Sequence, residues 1–106
     1  MTGIRISVPD TAETGEVIEI RVLIQHPMES GFRRDNRGGL IPRDILTRFE
    51  CTYSGKAVFV ADFHPAIAAN PLLSFNTVAA ESGTLNFRWI DQNGAVWEDS
   101  AEIIVT

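Results

Sequence analysis

Apolar and polar residues alternate with period two along most of the chain, the spacing that gives a β-strand one face toward a core and one toward water. In "VIEIRVLIQ", Ile18, Ile20, Val22 and Ile24 fall on one side and Glu19, Arg21 and Gln25 on the other. "TLNFRWI" repeats the pattern, with Leu85, Phe87 and Trp89 inward and Asn86 and Arg88 outward. In "ILTRFECTY", Ile45, Thr47, Phe49, Cys51 and Tyr53 share one face, and Leu46, Arg48, Glu50 and Thr52 share the other. Further strands are predicted at Ile4–Val8, Val58–Asp62 and Ser74–Ala80, with a last one ending in "AEIIV", where Ala101, Ile103 and Val105 align. Turn chemistry separates them: "AETGE", "YSGK", "AESGT" and "DQNGA", where Asn93-Gly94 favours a tight hairpin. No amphipathic helix is predicted. About seven short antiparallel strands with regular turn signals predict an all-β, immunoglobulin-like sandwich.

A stretch from Gln25 to Ile45, "QHPMESGFRRDNRGGLIPRDI", interrupts the alternation. A loop of this length inside a compact domain is uncommon unless it has a function. Charge sharpens the point. The net charge is −5, yet residues 1–56 hold eight Lys/Arg against eight Asp/Glu, so the whole negative excess lies in residues 57–106. Arg33, Arg34, Arg37, Arg43 and Arg48 thus form a local basic patch on an acidic chain. Nucleic-acid binding asks for a broader basic surface, and a pI near 4.9 argues against it; the local arginine patch points instead to a specific anionic partner surface. With 106 residues and 44% hydrophobic composition, one domain spanning 1–106 can enclose one core. No apolar run approaches the roughly 20 residues of a spanning helix. The start, "MTGIRISVPD", has no secretory-signal pattern and by itself would suggest the cytosol.

Little in the sequence carries catalysis. Cys51 is the one cysteine, which excludes an internal disulfide and a Cys-based zinc cluster. It shares its strand face with Phe49 and Tyr53 and is expected to pack as a small hydrophobe. A thiol enzyme would need it exposed and activated. His26, His64 and Cys51 together would suit a copper or iron site, but their spacing matches no metal motif. Each histidine precedes a proline at a strand end, where a backbone hydrogen bond is the expected role. Neither a nucleophile elbow nor a P-loop nor a GxGxxG occurs, and Gly38-Gly39 reads as a turn. No catalytic residue, metal ligand or cofactor site is assigned.

Several segments taken together carry a resemblance: "HPMESGFRRDNRGGLIPRDI", "FECTYSG", "FHPAIAANPLLSF" and "ESGTLNFRWIDQNGAVWEDSAEI". The combination of an HPMExG loop, an ANP segment and an SGT…FxWxDxxG hairpin resembles the Z-subunit family of the bacterial sulfur-oxidation (Sox) carrier complex, from about Gln25 to Val105. Ser30 stands where threonine is common, and Phe32 adds an apolar residue to a usually polar stretch. The resemblance implies an immunoglobulin-like scaffold without cofactors, pairing with a SoxY-type subunit as a heterodimer or heterotetramer. That subunit's C-terminal arm ends in a reactive cysteine, which carries thiosulfate-derived intermediates between periplasmic Sox enzymes; contacts with those enzymes are expected to be transient. No corresponding cysteine stands near the end "IIVT". The resemblance further implies a periplasmic location, reached by co-export with a signal-bearing partner.

An interface centre combines apolar anchors with arginine. The partner-binding set expected here is therefore His26, Met28, Glu29, Phe32, Arg33, Arg34, Arg37 and Arg43 in the loop, joined by His64, Asn70 and Pro71. Leu40 and Ile41 add apolar surface to the same loop. An autonomous ligand-binding or adhesion sandwich would use the same loops without an obligate partner.

Overall fold

The computed structural model describes residues 3–64, 67 and 69–106. Eight strands follow one another: β1 (Ile4–Ser7), β2 (Thr11–Ala12), β3 (Val17–Ile24), β4 (Leu46–Tyr53), β5 (Lys56–Asp62), β6 (Leu72–Val78), β7 (Gly83–Asp91) and β8 (Val96–Val105). They form a three-stranded sheet in the order β1-β3-β6 and a five-stranded sheet in the order β2-β8-β7-β4-β5. The two sheets share one core, and the fold is the predicted immunoglobulin-like sandwich. Every pairing is antiparallel except β2 with β8, where Thr11 and Ala12 lie parallel to Ile104 and Val105. β2, the strand beyond the predicted seven, has two residues, too few to show an alternation.

Alternation became burial where it was cleanest. In β3, Ile18, Ile20, Val22 and Ile24 are buried and the intervening Glu19 and Arg21 exposed. Phe49 sits at the centre of the core, with ring centroids of Phe59, Phe75, Phe87 and Trp89 at 5.0–6.4 Å. Phe59 and Phe75, from opposite sheets, stack at 4.3 Å. Aromatic contacts of this kind add to the burial of the rings themselves.

Three predicted details shift. Leu46, expected on the polar side of β4, is fully buried, because a bulge between Leu46 and Arg48 inserts an extra residue opposite β7 and flips the side-chain parity. β6 begins two residues early and stops at Val78, because its extent is set by residue-for-residue pairing with β3, from Leu23↔Leu72 to Val17↔Val78. The Asn93-Gly94 hairpin forms, but with a longer turn than two residues. Gly94 is left-handed (φ 82), its N–H reaches the Asp91 carbonyl at 3.1 Å, and Asp91 N–H reaches the Ala95 carbonyl at 3.0 Å. The two-residue turn is Ser54-Gly55, with φ 49 and 85, the mirror-image geometry that suits twisted hairpins.

The strand ends sort the connections into two groups. β3–β4, β5–β6 and β7–β8 close at one end of the sandwich; Ser54-Gly55 and the β6–β7 link lie at the other. There the Tyr53 hydroxyl donates to the Glu81 carbonyl and accepts the Glu81 N–H at 3.3 Å. The molecule measures 58 × 22 × 20 Å. A ten-residue strand such as β8 accounts for about 34 Å of that length.

Candidate functional site

The β3–β4 connection supplies further reach, because it folds back on itself as a projecting arm. Its base is a bridge in which Glu29 and Asp44 exchange both backbone hydrogen bonds at 2.8 Å. Farther out, Arg34 pairs with Leu40, and the Ile41 N–H reaches the Arg33 carbonyl at 2.8 Å. The tip, Asp35 to Gly39, is closed by one carboxylate: Asp35 Oδ1 accepts the N–H groups of Arg37 at 2.9 Å and Gly39 at 3.0 Å. Asp takes this position because its short side chain can satisfy the backbone of a tight turn.

Side chains lock the base. His26 is buried; its Nδ1 accepts the Met28 N–H at 3.0 Å, and its Nε2 lies 3.6 Å from Asp44 Oδ1. An Nδ1 that accepts a hydrogen bond carries no proton, so the ring proton sits on Nε2 and faces the carboxylate. The His26 and Trp97 rings stand nearly perpendicular, with centroids 5.8 Å apart. His26 N–H donates to Asn70 Oδ1 at 2.9 Å, and Asn70 N–H returns to the His26 carbonyl at 2.8 Å. The expected backbone role of His26 is thus observed, and it joins the two segments singled out in the sequence. Gln92 clamps the other side, accepting from Arg43 Nε at 3.0 Å and donating to the Arg43 carbonyl at 2.8 Å.

These contacts divide the expected contact residues into two groups. Met28 was expected as an outward anchor and is corrected: it is 5% exposed, and its sulfur accepts the Leu46 N–H at 3.2 Å inside the core. Its left-handed backbone (φ 49), held by the His26 bond, turns the side chain inward. His26 and Pro71 are also buried and shape the surface from beneath. Phe32 is 85% exposed and Leu40 57% exposed, a large apolar display for one arm. Ile41 is half-buried.

The arm's arginines follow from its carboxylates. Arg33 forms a two-pronged pair with Glu29, with Nε to Oε2 at 3.2 Å and Nη2 to Oε1. The hydrogen bond to Arg33 holds Glu29 below the usual carboxylate range, and the same bond raises Arg33. Asp35 is occupied by the turn, and Asp44 faces His26. Arg34 reaches the Gly38 carbonyl at 2.6 Å, and Arg37 has no side-chain partner among the described residues. Arg34, Arg37 and Arg43 therefore carry charge that no carboxylate of the arm neutralises.

Beside the arm base, Pro27, Met28, Glu29 and Arg33 line a groove of about 460 Å³ together with Ile67 and Ala69. His64 and Asn70 are exposed at the same end; Pro65, Ala66 and Ala68 of that segment lie outside the described residues. The copper or iron idea finds no geometry. Cys51 is fully buried on β4 opposite Phe59 and Phe87, and among the described residues no three His, Cys, Asp or Glu side chains gather. Burial pushes the Cys51 thiol up to about 12, far from the thiolate a nucleophile requires. Sequence reasoning missed Asp44, Gln92 and Trp97. Their partners lie across long-range contacts, and no local pattern marks them.

The sequence from residue 4 to residue 102 matches the family described as sulphur oxidation protein SoxZ. No curated protein matches it significantly. Among solved structures, the fold is similar to a variant of the superoxide reductase (neelaredoxin) from Ignicoccus hospitalis, with TM-score 0.77 at 19% identity over 97% of this chain and 79% of that one. It is also similar to the sulfur carrier protein SoxY from Chlorobium limicola f thiosulfatophilum, with TM-score 0.68 at 20% identity over 97% and 78%. A putative superoxide reductase from Thermotoga maritima follows, at TM-score 0.67 and 16% identity over 97% and 85%. At such identities the likeness is one of fold.

Proposed function

The chain belongs to the SoxZ family of sulphur oxidation proteins, and from that premise we propose that it is the non-catalytic scaffold half of a sulfur carrier, paired with a SoxY-type subunit. The partner's terminal cysteine would bear the thiosulfate-derived sulfur, and this chain would hold and present that partner to periplasmic Sox enzymes. The observation that carries the reading is Cys51: the one thiol of the sequence is fully buried and pushed up to about 12, so it is unsuited to carrying a sulfur adduct. A family of sulfur oxidation whose chain has no available thiol calls for a partner that supplies one.

The arm supports the second half of the reading. Phe32 and Leu40 offer apolar area, and the arginines beside them offer charge for a carboxylate-bearing surface, the pairing that marks an interface centre. Export in company with a signal-bearing partner completes the proposal. The test is co-expression with a SoxY-type subunit and purification through a tag on this chain alone. Stoichiometric recovery of the partner is expected, along with no thiosulfate turnover by this chain by itself. Elution of this chain alone, or turnover that disappears in Cys51→Ser, would overturn the proposal.

A further inference from the structure

A sandwich exposes the outermost strands of its sheets, and each open edge is a template for another strand unless something guards it. Here most edges are guarded. β1 has four residues and carries Arg5. β5 begins at Lys56, ends at Asp62 and is distorted by a bulge against β4 between Cys51 and Thr52. β8 is covered by β2 at Ile104 and Val105 and bears Glu98, Asp99 and Glu102 along the rest. β6 differs. Its sequence, LLSFNTV, has no charge and no proline, its seven-residue ladder to β3 runs without a bulge, and Leu72 and Val78 are 60% and 50% exposed.

The hydrogen-bond parity of β6 is fixed at its two ends. The Pro71 carbonyl accepts from Ile24 N–H at 3.5 Å, and Ala79 N–H donates to the Glu16 carbonyl at 2.8 Å. In an antiparallel ladder the residues that bond a neighbour alternate. Leu73, Phe75 and Thr77 therefore serve β3, and the N–H and C=O groups of Leu72, Ser74, Asn76 and Val78 point off the edge.

We propose that this edge is a dimer seam: two copies of the chain pair β6 with β6, antiparallel about a two-fold axis at Phe75, so that their three-stranded sheets become continuous. The sequence is complementary to itself in that one register. Leu72 faces the second copy's Val78, so each exposed apolar side chain is covered by another. Ser74 faces the second copy's Asn76, and all four outward-pointing residues find hydrogen-bond partners. With no charge on the strand, the two-fold brings no like charges together. A second feature fits the same register. Between β5 and β6 lies a cleft of about 160 Å³ lined by Tyr53, Val58, Thr77 and Ala80, among others. In this register the second copy's Leu73 would stand opposite Thr77, at the rim of this cleft, which Lys56 and Glu81 also line.

The seam uses no residue of the arm and stands independently of the scaffold reading: two chains joined here would present two arms. The test is sedimentation of the isolated chain over a range of concentrations, with a mass of two chains expected. Ser74→Pro removes an N–H that faces the seam and none that serves β3, an exchange edge strands accept, and should halve the mass with an unchanged circular dichroism spectrum. If Ser74→Pro fails to fold, Asn76→Lys, on the solvent face, gives the same reading. Register is checked in a Cys51→Ala background, where Ser74→Cys with Asn76→Cys should oxidise to a linked dimer and Leu72→Cys with Ser74→Cys should not. A monomer at every concentration overturns the seam. So does a dimer indifferent to both edge variants, or one linked equally by both cysteine pairs. Protection of β6 amides from exchange only when a SoxY-type subunit is bound would overturn it too and assign the edge to that subunit.

Discussion

Cys51 is fully buried, with Phe59 and Phe87 as its cross-strand partners, and packs as a small hydrophobe. Replacing it with Ala removes one buried atom and should cost about 1 kcal/mol in denaturant unfolding. Pairing with a SoxY-type subunit should be unchanged. The thiol also gives a pH signature. Its folded value, about 12, lies above the ordinary 9.0, so the native state keeps its proton longer than the unfolded chain. The stability that burial of the neutral thiol contributes is fully present below pH 9 and is lost as pH rises from about 9 toward 12. The difference in stability between the native protein and Cys51→Ala should therefore be flat around neutrality and shrink across that window; a constant difference would show that the thiol is solvated. In the native state Cys51 should react with a thiol reagent only as fast as the chain unfolds.

On the scale of elements, the arm divides into a clamp and a display. The clamp is His26, Asp44, Asn70 and Gln92; the display is Phe32, Leu40 and the unneutralised arginines. Phe32→Ala should leave the melting temperature unchanged, because so exposed a side chain holds nothing in the fold. It should weaken SoxY-type binding by about 1–3 kcal/mol, mainly through faster dissociation. Removing Arg34 and Arg37 together should slow association and flatten its dependence on salt, since exposed charges steer encounters and are screened over about 8 Å at physiological ionic strength. Met28→Ala belongs to the other class: it should lower stability by about 2–5 kcal/mol, as loss of a buried side chain does. Surface-plasmon kinetics at low and high salt, beside thermal melts, separate the groups. Unchanged rates in the Phe32 and arginine variants would move the interface off the arm.

For the whole molecule, charge is distributed along the long axis. The arm carries its arginines at one end, and Asp10, Glu13, Glu16 and Glu81 are exposed at the other. An acidic partner surface would meet this chain arm first. Raising ionic strength should thus lower the association rate with such a surface more than it raises the dissociation rate. The flanks behave differently: pairing along β6 is uncharged and should be nearly indifferent to salt, so the two associations can be told apart in one titration series.

The sequence alone determined the class of fold, the main strands and the inward faces of β3 and β7, because period-two alternation is a local property that burial on one side of a sheet enforces. It determined that Cys51 sits in the core, and that the segment from Gln25 to Ile45 breaks the strand pattern and is basic. Only the tertiary structure decided which residues of that segment face outward. Met28 turns in because His26 holds its backbone left-handed, a constraint made by contacts to Asp44, Asn70 and Trp97 that lie far away in sequence. Leu46 is buried because a bulge is counted against β7 and not along β4. The unguarded edge of β6 is likewise a matter of which strand has no neighbour. Alternation records the environment of a residue above and below its sheet; it holds no information about what lies beside the strand or which distant side chains close a loop.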